Sequence, residues 1–163
     1  MTDIPPARIR PATALDAAAI ARAHVQARRE TYGDRIPQDV YAEREANAEG
    51  DWQQVLADPG ATMTWVAARA GEVVGFATAE AAGPREVRPL QLRLLYVLAA
   101  EQGRGTGTHL MELAVGDAPC FLWVAEANTR AHRFYRHHGF EPDGARQTEA
   151  AMGHIPEIRM VRS

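Results

Sequence analysis

The chain has 163 residues, 46% hydrophobic and 24% charged, an ordinary composition for one globular domain spanning residues 1–163. Its formal net charge of −3 disfavours nucleic-acid binding, which usually requires a basic surface. A single cysteine, Cys120, excludes a disulfide framework and a cysteine-rich zinc site within the chain. Because the sequence shows neither a secretory signal nor an apolar run near the ~20 residues of a membrane span, we expect a cytoplasmic protein without a membrane partner.

The N-terminal third predicts one short strand followed by two helices. Residues 7–10 are typical of a strand, and the apolar residues of 13–33 recur at roughly helical spacing. Residues 37–60 predict a second helical region, which we expect to be broken near Gly50.

The middle of the chain predicts three strands. Residues 63–69 and 73–80 are expected to form a hairpin that turns at residues 70–71, an Ala-Gly pair. Residues 88–98 begin with an apolar–polar alternation and then become uniformly apolar, which favours a central strand buried on both faces.

The last third alternates helices and strands. A helix is predicted over 108–116 and a buried strand over 118–128, and a final strand is expected over 157–161. Between the two strands, a helix is predicted to begin at Asn128, a favoured N-cap residue, and to end at Gly139, where a left-handed residue is favoured. The order β, α, α, β, β, β, α, β, α, β indicates a mixed sheet with helices against it, hence an α/β or α+β fold.

Residues 101–110, EQGRGTGTHL, place glycines at 103, 105 and 107 between a predicted strand and a predicted helix. Such a turn directs free amides and the positive end of the helix dipole at an anion, so we predict a bound phosphate. A P-loop is excluded because the chain has no lysine, and the dinucleotide fingerprint fits poorly because Thr108 stands at its third glycine position. A tight turn without a ligand is the alternative.

The glycine loop matches the acyl-CoA motif Q/R-x-x-G-x-G/A through Gln102, Gly105 and Gly107. A second motif, an asparagine followed by A-x-x-F-Y-x-x-x-G-F, is matched by Asn128, Ala131, Phe134, Tyr135, Gly139 and Phe140. With both motifs in order over residues 90–141, the chain resembles the GNAT family of N-acetyltransferases.

This resemblance implies a mostly antiparallel sheet of six to seven strands flanked by about four helices. It implies acetyl-CoA as co-substrate, no metal, and direct attack of a primary amine in a ternary complex. The pyrophosphate site implied by the family motif, and compatible with amides at a helix start, comprises Gln102, Gly103, Arg104, Gly105, Thr106, Gly107 and Thr108. The backbone from Leu95 to Val97 is implied to pair with the pantetheine arm, and the N–H of Val97 to polarise the thioester carbonyl.

Tyr135 matches the family tyrosine that approaches the coenzyme sulfur. A phenol with a pKa near 10 can hydrogen-bond or protonate the departing thiolate. The alternative is that Tyr135 only packs beside Phe134 on the apolar face of its helix. Asn128 is similarly open to two roles, contact with the cofactor or capping of its helix alone.

The general base is not identified by these motifs. An alkylamine with a pKa of about 10.4 costs about 4.6 kcal/mol to deprotonate at pH 7. Many family members carry a glutamate on the strand before the loop, where this chain has Gln91, which cannot accept a proton. Glu80 is the replacement candidate, with a solvated glutamate at the hairpin end as the alternative.

Two further features carry alternatives. Cys120 precedes an apolar run, which favours a buried structural thiol over an acetyl-cysteine intermediate. Because neighbours on a helix point about 100° apart, His137 and His138 make a poor metal-ligand pair, and we interpret both as solvated surface.

The acceptor is expected opposite the coenzyme, against the first two helices and the hairpin. Tyr32, Asp34, Tyr41 and Trp52 are the aromatic and acidic residues available there, and Tyr32 and Trp52 are the substrate-binding candidates. A small-molecule or peptide amine is the expected partner, and a homodimer stays open. The alternatives to catalysis are a non-catalytic acyl-CoA-binding sensor and a nucleotide or NAD binder.

Overall fold

The computed structural model describes residues 5–163, so the first four residues of the predicted domain lie outside the described part. Its strands are β1 (Arg8–Pro11), β2 (Thr62–Arg69), β3 (Glu72–Ala81), β4 (Leu90–Val97), β5 (Cys120–Ala125), β6 (Glu141–Glu149) and β7 (Ile155–Arg162). Its α-helices are α1 (Ala17–Tyr32), α2 (Gln38–Ala57), α3 (Thr106–Val115) and α4 (Thr129–His137). Within residues 5–163, no helix is both long and apolar enough to cross a bilayer.

The seven strands form one sheet in the order β1-β2-β3-β4-β5-β7-β6. All neighbouring strands run antiparallel except β4 and β5, which run parallel. The expected mixed, mostly antiparallel sheet with four flanking helices is therefore confirmed.

The helices cover both faces of the sheet. Because side chains alternate along a strand, Val66 and Phe76 pack against α1 and α2, whereas Ala67 and Ala77 pack against Leu110 of α3. All five side chains are fully buried. The small alanines let α3 approach the sheet closely, which fixes the position of the loop that precedes this helix.

The two central strands separate after a short paired stretch. β4 and β5 pair only at Leu90 with Cys120 and at Gln91 with Phe121. A register shift between β3 and β4 leaves Arg93 without an opposite residue, which is a β-bulge on β4. Beyond that point β4 and β5 border a common cleft instead of each other.

Two predictions of secondary structure are wrong. Helix α2 continues through Gly50, because a glycine with helical φ on the exposed side costs only about 1 kcal/mol relative to alanine. Strand β6 was not predicted, since it is almost wholly exposed and contains Pro142 and the left-handed Gly144. The hairpin at residues 70–71 is confirmed, with φ values of 50° and 83° as a tight turn requires.

Candidate active site

The gap between β4 and β5 opens into a cavity of about 1030 Å³. Its lining comes from the second half of α1, Arg44 of α2, β4, the glycine loop, β5, α4, β6 and β7. A volume at the upper end of the ~300–1,000 Å³ typical of ligand pockets suits a long ligand.

The main chain of β4 turns toward this cleft. The amide of Leu98 donates to the carbonyl of Val74 at 2.9 Å, so these two residues form a hydrogen-bonded pair. Because such pairs alternate along an antiparallel ladder, the main-chain groups of Leu95 and Val97 point away from β3 and into the cleft. The side-chain amide of Gln102 donates to the carbonyl of Val97 at 2.9 Å, which joins the strand to the glycine loop.

Backbone conformation explains two of the three loop glycines. Gly103 and Gly105 have φ values of 78° and 82°, and a Cβ at either position would meet no atom within 4 Å. Gly107 lies inside α3, where a Cβ would contact Phe134 and Val97 at an ordinary 3.6 Å. The turn therefore requires Gly103 and Gly105, and the open space above them leaves room for a ligand.

The six amides from Gly103 to Thr108 donate no hydrogen bond to any group of residues 5–163. They include the first amides of α3, whose N-terminus carries the positive end of the helix dipole. The loop can therefore hold a pyrophosphate through its main chain. The side chains of Arg104 and Thr106 do not line the cavity.

A buried ion pair holds the loop in place. The carboxylate of Glu101 accepts from Arg69 of β2 at 2.7 and 2.8 Å and from the hydroxyl of Thr106 at 2.7 Å. The hydrogen bonds from Arg69 are the largest cause of the lowered pKa of Glu101. This pair clamps the start of the glycine loop to the sheet.

Helix α4 supplies the opposite wall of the cleft. Asn128 accepts from the amide of Ala131 at 3.1 Å, so it caps the helix, and it also lines the cavity. The two roles considered for Asn128 are compatible. Arg130 lines the cavity and donates to the side-chain oxygen of Gln102, which places a cation beside the glycine loop.

Tyr135 lines the cleft from the buried face of α4, with only 8% of its surface exposed. Its ring packs against Phe134 and Phe140, with ring centroids 5.4 and 5.8 Å away. Burial, and to a lesser extent Tyr96, raises the pKa of Tyr135 above its usual value. The phenol thus stays protonated at neutral pH while its ring belongs to the core.

The predicted acceptor residues occupy different places. Tyr32 lines the cleft, and burial is the main reason that its pKa is raised. Trp52 is buried, borders a smaller cavity next to the cleft, and donates to His24 Nδ1 at 3.2 Å. Tyr41 is buried, and its hydroxyl donates a hydrogen bond to the carbonyl of Gly33 at 2.9 Å. Neither Tyr41 nor the exposed Asp34 lines either cavity.

The carboxylates near the cleft do not include the expected one. Glu80 forms an ion pair with Arg93 at 2.8 Å and lines neither cavity. Gln91 does line the cleft. So does Glu157 of β7, which accepts from Gln147 at 2.7 Å. Burial is the largest influence on Glu157 and raises its pKa. The geometry therefore favours Glu157 over Glu80 as a proton acceptor.

The chain is similar to known acetyltransferases. A family model described as an acetyltransferase (GNAT) domain matches residues 60–142. The chain belongs to the GNAT acetyltransferase family. A curated Mycobacterium tuberculosis protein named as a probable N-acetyltransferase is 30% identical over 145 residues, covering 84% of this chain and 81% of the relative.

Solved structures share the GNAT fold. The PaiA N-acetyltransferase of Thermoplasma acidophilum, solved in complex with coenzyme A, superposes with a TM-score of 0.78 at 15% identity, covering 96% of this chain and 98% of that one. An acetyltransferase of Thermus thermophilus superposes with a TM-score of 0.66 at 24% identity, covering 98% and 97%.

The structure decides two further expectations, those for Cys120 and for the adjacent His137 and His138. Cys120 is fully buried and lines neither cavity, and burial raises the pKa of its thiol, which favours a structural role over a covalent one. The interpretation of His138 as solvated surface is wrong. It is half-buried, with Nε2 3.2 Å from the hydroxyl of Thr108, because α4 packs against the start of α3.

Four groups of the candidate site were missed by sequence reasoning: Arg69, Glu101, Arg130 and Glu157. Arg69 and Glu101 are 32 positions apart, and only the fold brings them together. Arg130 carries a recognisable signal, a cation in the first turn of a helix next to the cleft motif. Glu157 lies in a strand with no motif, and nothing in its local sequence distinguishes it.

Proposed function

We propose that the protein transfers an acetyl group from acetyl-CoA to a primary amine by direct attack in a ternary complex. The observation that carries the proposal is the adjacency of the cleft-facing backbone of Leu95 and Val97 to the free amides from Gly103 to Thr108. An amide-bearing pantetheine arm can pair with the strand, while the pyrophosphate binds the loop. The coenzyme A complex of the Thermoplasma relative supports this choice of ligand.

The reaction forms one bond and breaks one. The amine nitrogen attacks the thioester carbonyl carbon, the C–N bond forms, the C–S bond breaks, and the sulfur leaves as a thiolate. Negative charge develops on the carbonyl oxygen during the attack. The N–H of Val97, directed into the cleft by the register of β4, is suited to stabilise that charge.

Tyr135 acts on the leaving sulfur as a hydrogen-bond donor. A thiol such as that of coenzyme A has a pKa of about 8.5, whereas the pKa of Tyr135 is raised above the usual tyrosine value of about 10. Complete proton transfer from this phenol to the thiolate is therefore unfavourable. Donation of a hydrogen bond stabilises the departing charge without that cost, and solvent can supply the proton afterwards.

Glu157 is the proposed acceptor of the amine proton, directly or through a water molecule. An alkylammonium ion does not attack, and forming the free amine at pH 7 costs about 4.6 kcal/mol. Burial raises the pKa of Glu157, which makes its carboxylate a stronger base than a solvated glutamate. Glu157 lines the cleft together with Tyr32, whose pKa it helps to raise, and this proximity supports a shared acceptor side.

A thiol-release assay with acetyl-CoA and a panel of amines tests this function. We expect release that depends on both acetyl-CoA and an amine, with no lag and no acetylated protein. Tight binding of acetyl-CoA without turnover on any amine would favour the non-catalytic sensor. Binding of ATP or NAD in preference to acetyl-CoA would contradict the ligand assignment itself.

A further inference from the structure

A second cavity, of about 240 Å³, lies between α1, α2 and the sheet. Five residues line both this cavity and the main cleft: His24, Arg28, Arg44, Arg93 and Leu94. The two spaces are therefore neighbours with a common wall. We call the smaller one the side cavity.

The side cavity carries excess positive charge. Three arginines line it, against the single carboxylate of Asp51. Arg28 forms no ion pair or side-chain hydrogen bond within residues 5–163, and its Nε is buried without a partner. Arg44 donates to the main-chain carbonyl of Ala151 at 2.9 Å and so keeps its full charge, whereas Glu80 neutralises Arg93.

A second buried donor lies in the same wall. His24 accepts at Nδ1 from the indole N–H of Trp52, so a neutral ring carries its proton on Nε2. In the described part of the chain, His24 Nε2 has no hydrogen-bond partner either. Burial holds the pKa of His24 well below its usual value, which keeps the ring neutral. Two buried N–H groups without acceptors are expensive unless a ligand supplies the missing oxygen atoms.

We propose that the side cavity binds an anionic group of the acceptor, so that the substrates are small amines that also carry a carboxylate or a phosphate. This inference rests on the proposed function, and it narrows the substrate class. Guanidinium N–H groups match the oxygens of both anions. A simple alkylammonium ion would instead be repelled by Arg28 and Arg44.

The dimensions of the site agree with an acceptor whose amine and anionic group lie in two separate places. The side cavity is smaller than the ~300–1,000 Å³ pockets that enclose whole ligands, so it can hold one end group. Along β4, Leu94 in the common wall precedes Val97 by three residues, or about 10 Å at ~3.3 Å per residue. The amine can therefore lie at the thioester while the anionic group occupies the side cavity.

Matched amine pairs in the thiol-release assay test the proposal. The pairs are 7-aminoheptanoate against heptylamine, 8-aminooctanoate against octylamine, and 7-aminoheptylphosphonate against octylamine, whose acidic members can span about 10 Å. In the wild type, we expect kcat/KM to be higher for the anionic member by about tenfold or more, as for a hydrogen bond to a charged group. Comparison of the phosphonate with the carboxylates shows which anion the side cavity prefers.

Arg28→Gln should erase this preference. It should raise KM for the acid-bearing amines about tenfold and slightly lower KM for the simple alkylamines, because a repelling cation is removed, with the Kd of acetyl-CoA unchanged. Arg28→Lys should restore part of the preference, and Arg22→Gln, an exposed position on the same helix, should have no effect. Equal rates for both members of each pair, or a preference that survives Arg28→Gln, would overturn the proposal.

Calorimetry separates this inference from the proposed function. 8-Aminooctanoate and octylamine are titrated into wild type and Arg28→Gln, with and without saturating coenzyme A. Selective binding of 8-aminooctanoate that Arg28→Gln abolishes supports the side cavity even if no amine is acetylated. Absence of selective binding overturns it. Failure of coenzyme A to bind would instead sink the proposed function alone.

Discussion

The two halves of the cleft are built from different parts of the chain. The half to which we assign the coenzyme, the coenzyme half, consists of the main chain of Leu95 and Val97 and the amides from Gly103 to Thr108. The half to which we assign the acceptor, the acceptor half, consists of side chains, chiefly those of Arg28 and Glu157. One half depends on backbone conformation, and the other depends on which side chains distant segments bring together.

This difference predicts different responses to substitution. Changing a side chain in the coenzyme half should matter little unless the new side chain alters backbone conformation or fills the space above the loop. Changing a side chain in the acceptor half should alter specificity or rate while acetyl-CoA still binds. Tyr135 lines the same cleft as the residues of both halves.

Gly105→Glu should produce the largest effect. The new side chain adds negative charge where the pyrophosphate is expected and forces a non-glycine residue to φ near 82°. We expect acetyl-CoA affinity, measured by calorimetry, to fall by about two orders of magnitude or more.

Two variants separate charge from strain in this experiment. Gly105→Ala keeps the strain, about 1–2 kcal/mol, and omits the charge. Gly144→Glu places the same residue at φ of 90° in an exposed position far along the chain, with no atom within 4 Å of the new Cβ. Unaltered affinity in Gly105→Glu, or an equal loss in Gly144→Glu, would mean that the loop is wrongly assigned.

Glu157→Gln should lower kcat by about 100-fold, the low end of general-base contributions, while acetyl-CoA affinity stays constant. Since a base must be ionised, the wild-type rate should rise with pH through the raised pKa of Glu157, and the variant should lose that limb. Glu80→Gln is the competing variant. A larger loss in Glu80→Gln than in Glu157→Gln would return the role of base to Glu80.

Tyr135→Phe should lower kcat about tenfold, because only a hydrogen bond to the leaving sulfur is lost. The ring keeps its packing against Phe134 and Phe140, so the melting temperature and acetyl-CoA affinity should change little. A kcat equal to that of the wild type would reduce Tyr135 to a core residue.

His24 should give the smallest effect, visible in stability. Below a pH of about 6.5, the unfolded chain binds a proton on His24 that the folded chain does not bind. The free energy of unfolding should therefore fall as the pH drops, by up to about 1.4 kcal/mol per unit from this group. Denaturant unfolding of His24→Gln should show a shallower pH dependence than the wild type, and parallel curves would contradict the buried neutral ring.

Local signals made the coenzyme half predictable from sequence. Gly103 and Gly105 occupy positive φ, Asn128 caps α4, and Gly139 ends it at φ of 85°, all as the residue types indicate. Each of these features is set within a few residues. The hairpin turn between β2 and β3 follows the same rule.

The charged groups of the acceptor half were not predictable, because tertiary packing brings them together, whereas Tyr32 was predicted and lines the cleft. Arg28, Arg44 and Arg93 come from α1, α2 and β4, and no motif relates them. Glu157 stands in a strand without any motif, and only the packing of β7 places it partly buried at the cleft. Strand β6 was missed for a related reason, since it is an exposed edge strand whose pairing with β7 overrides its low β-propensity.

A crystal structure with bound acetyl-CoA tests the central claim most directly. We predict pyrophosphate oxygens about 2.7–3.2 Å from the amides between Gly103 and Thr108, and the thioester oxygen at the same distance from the N–H of Val97. A ligand bound elsewhere, with these amides facing only solvent, would contradict the account.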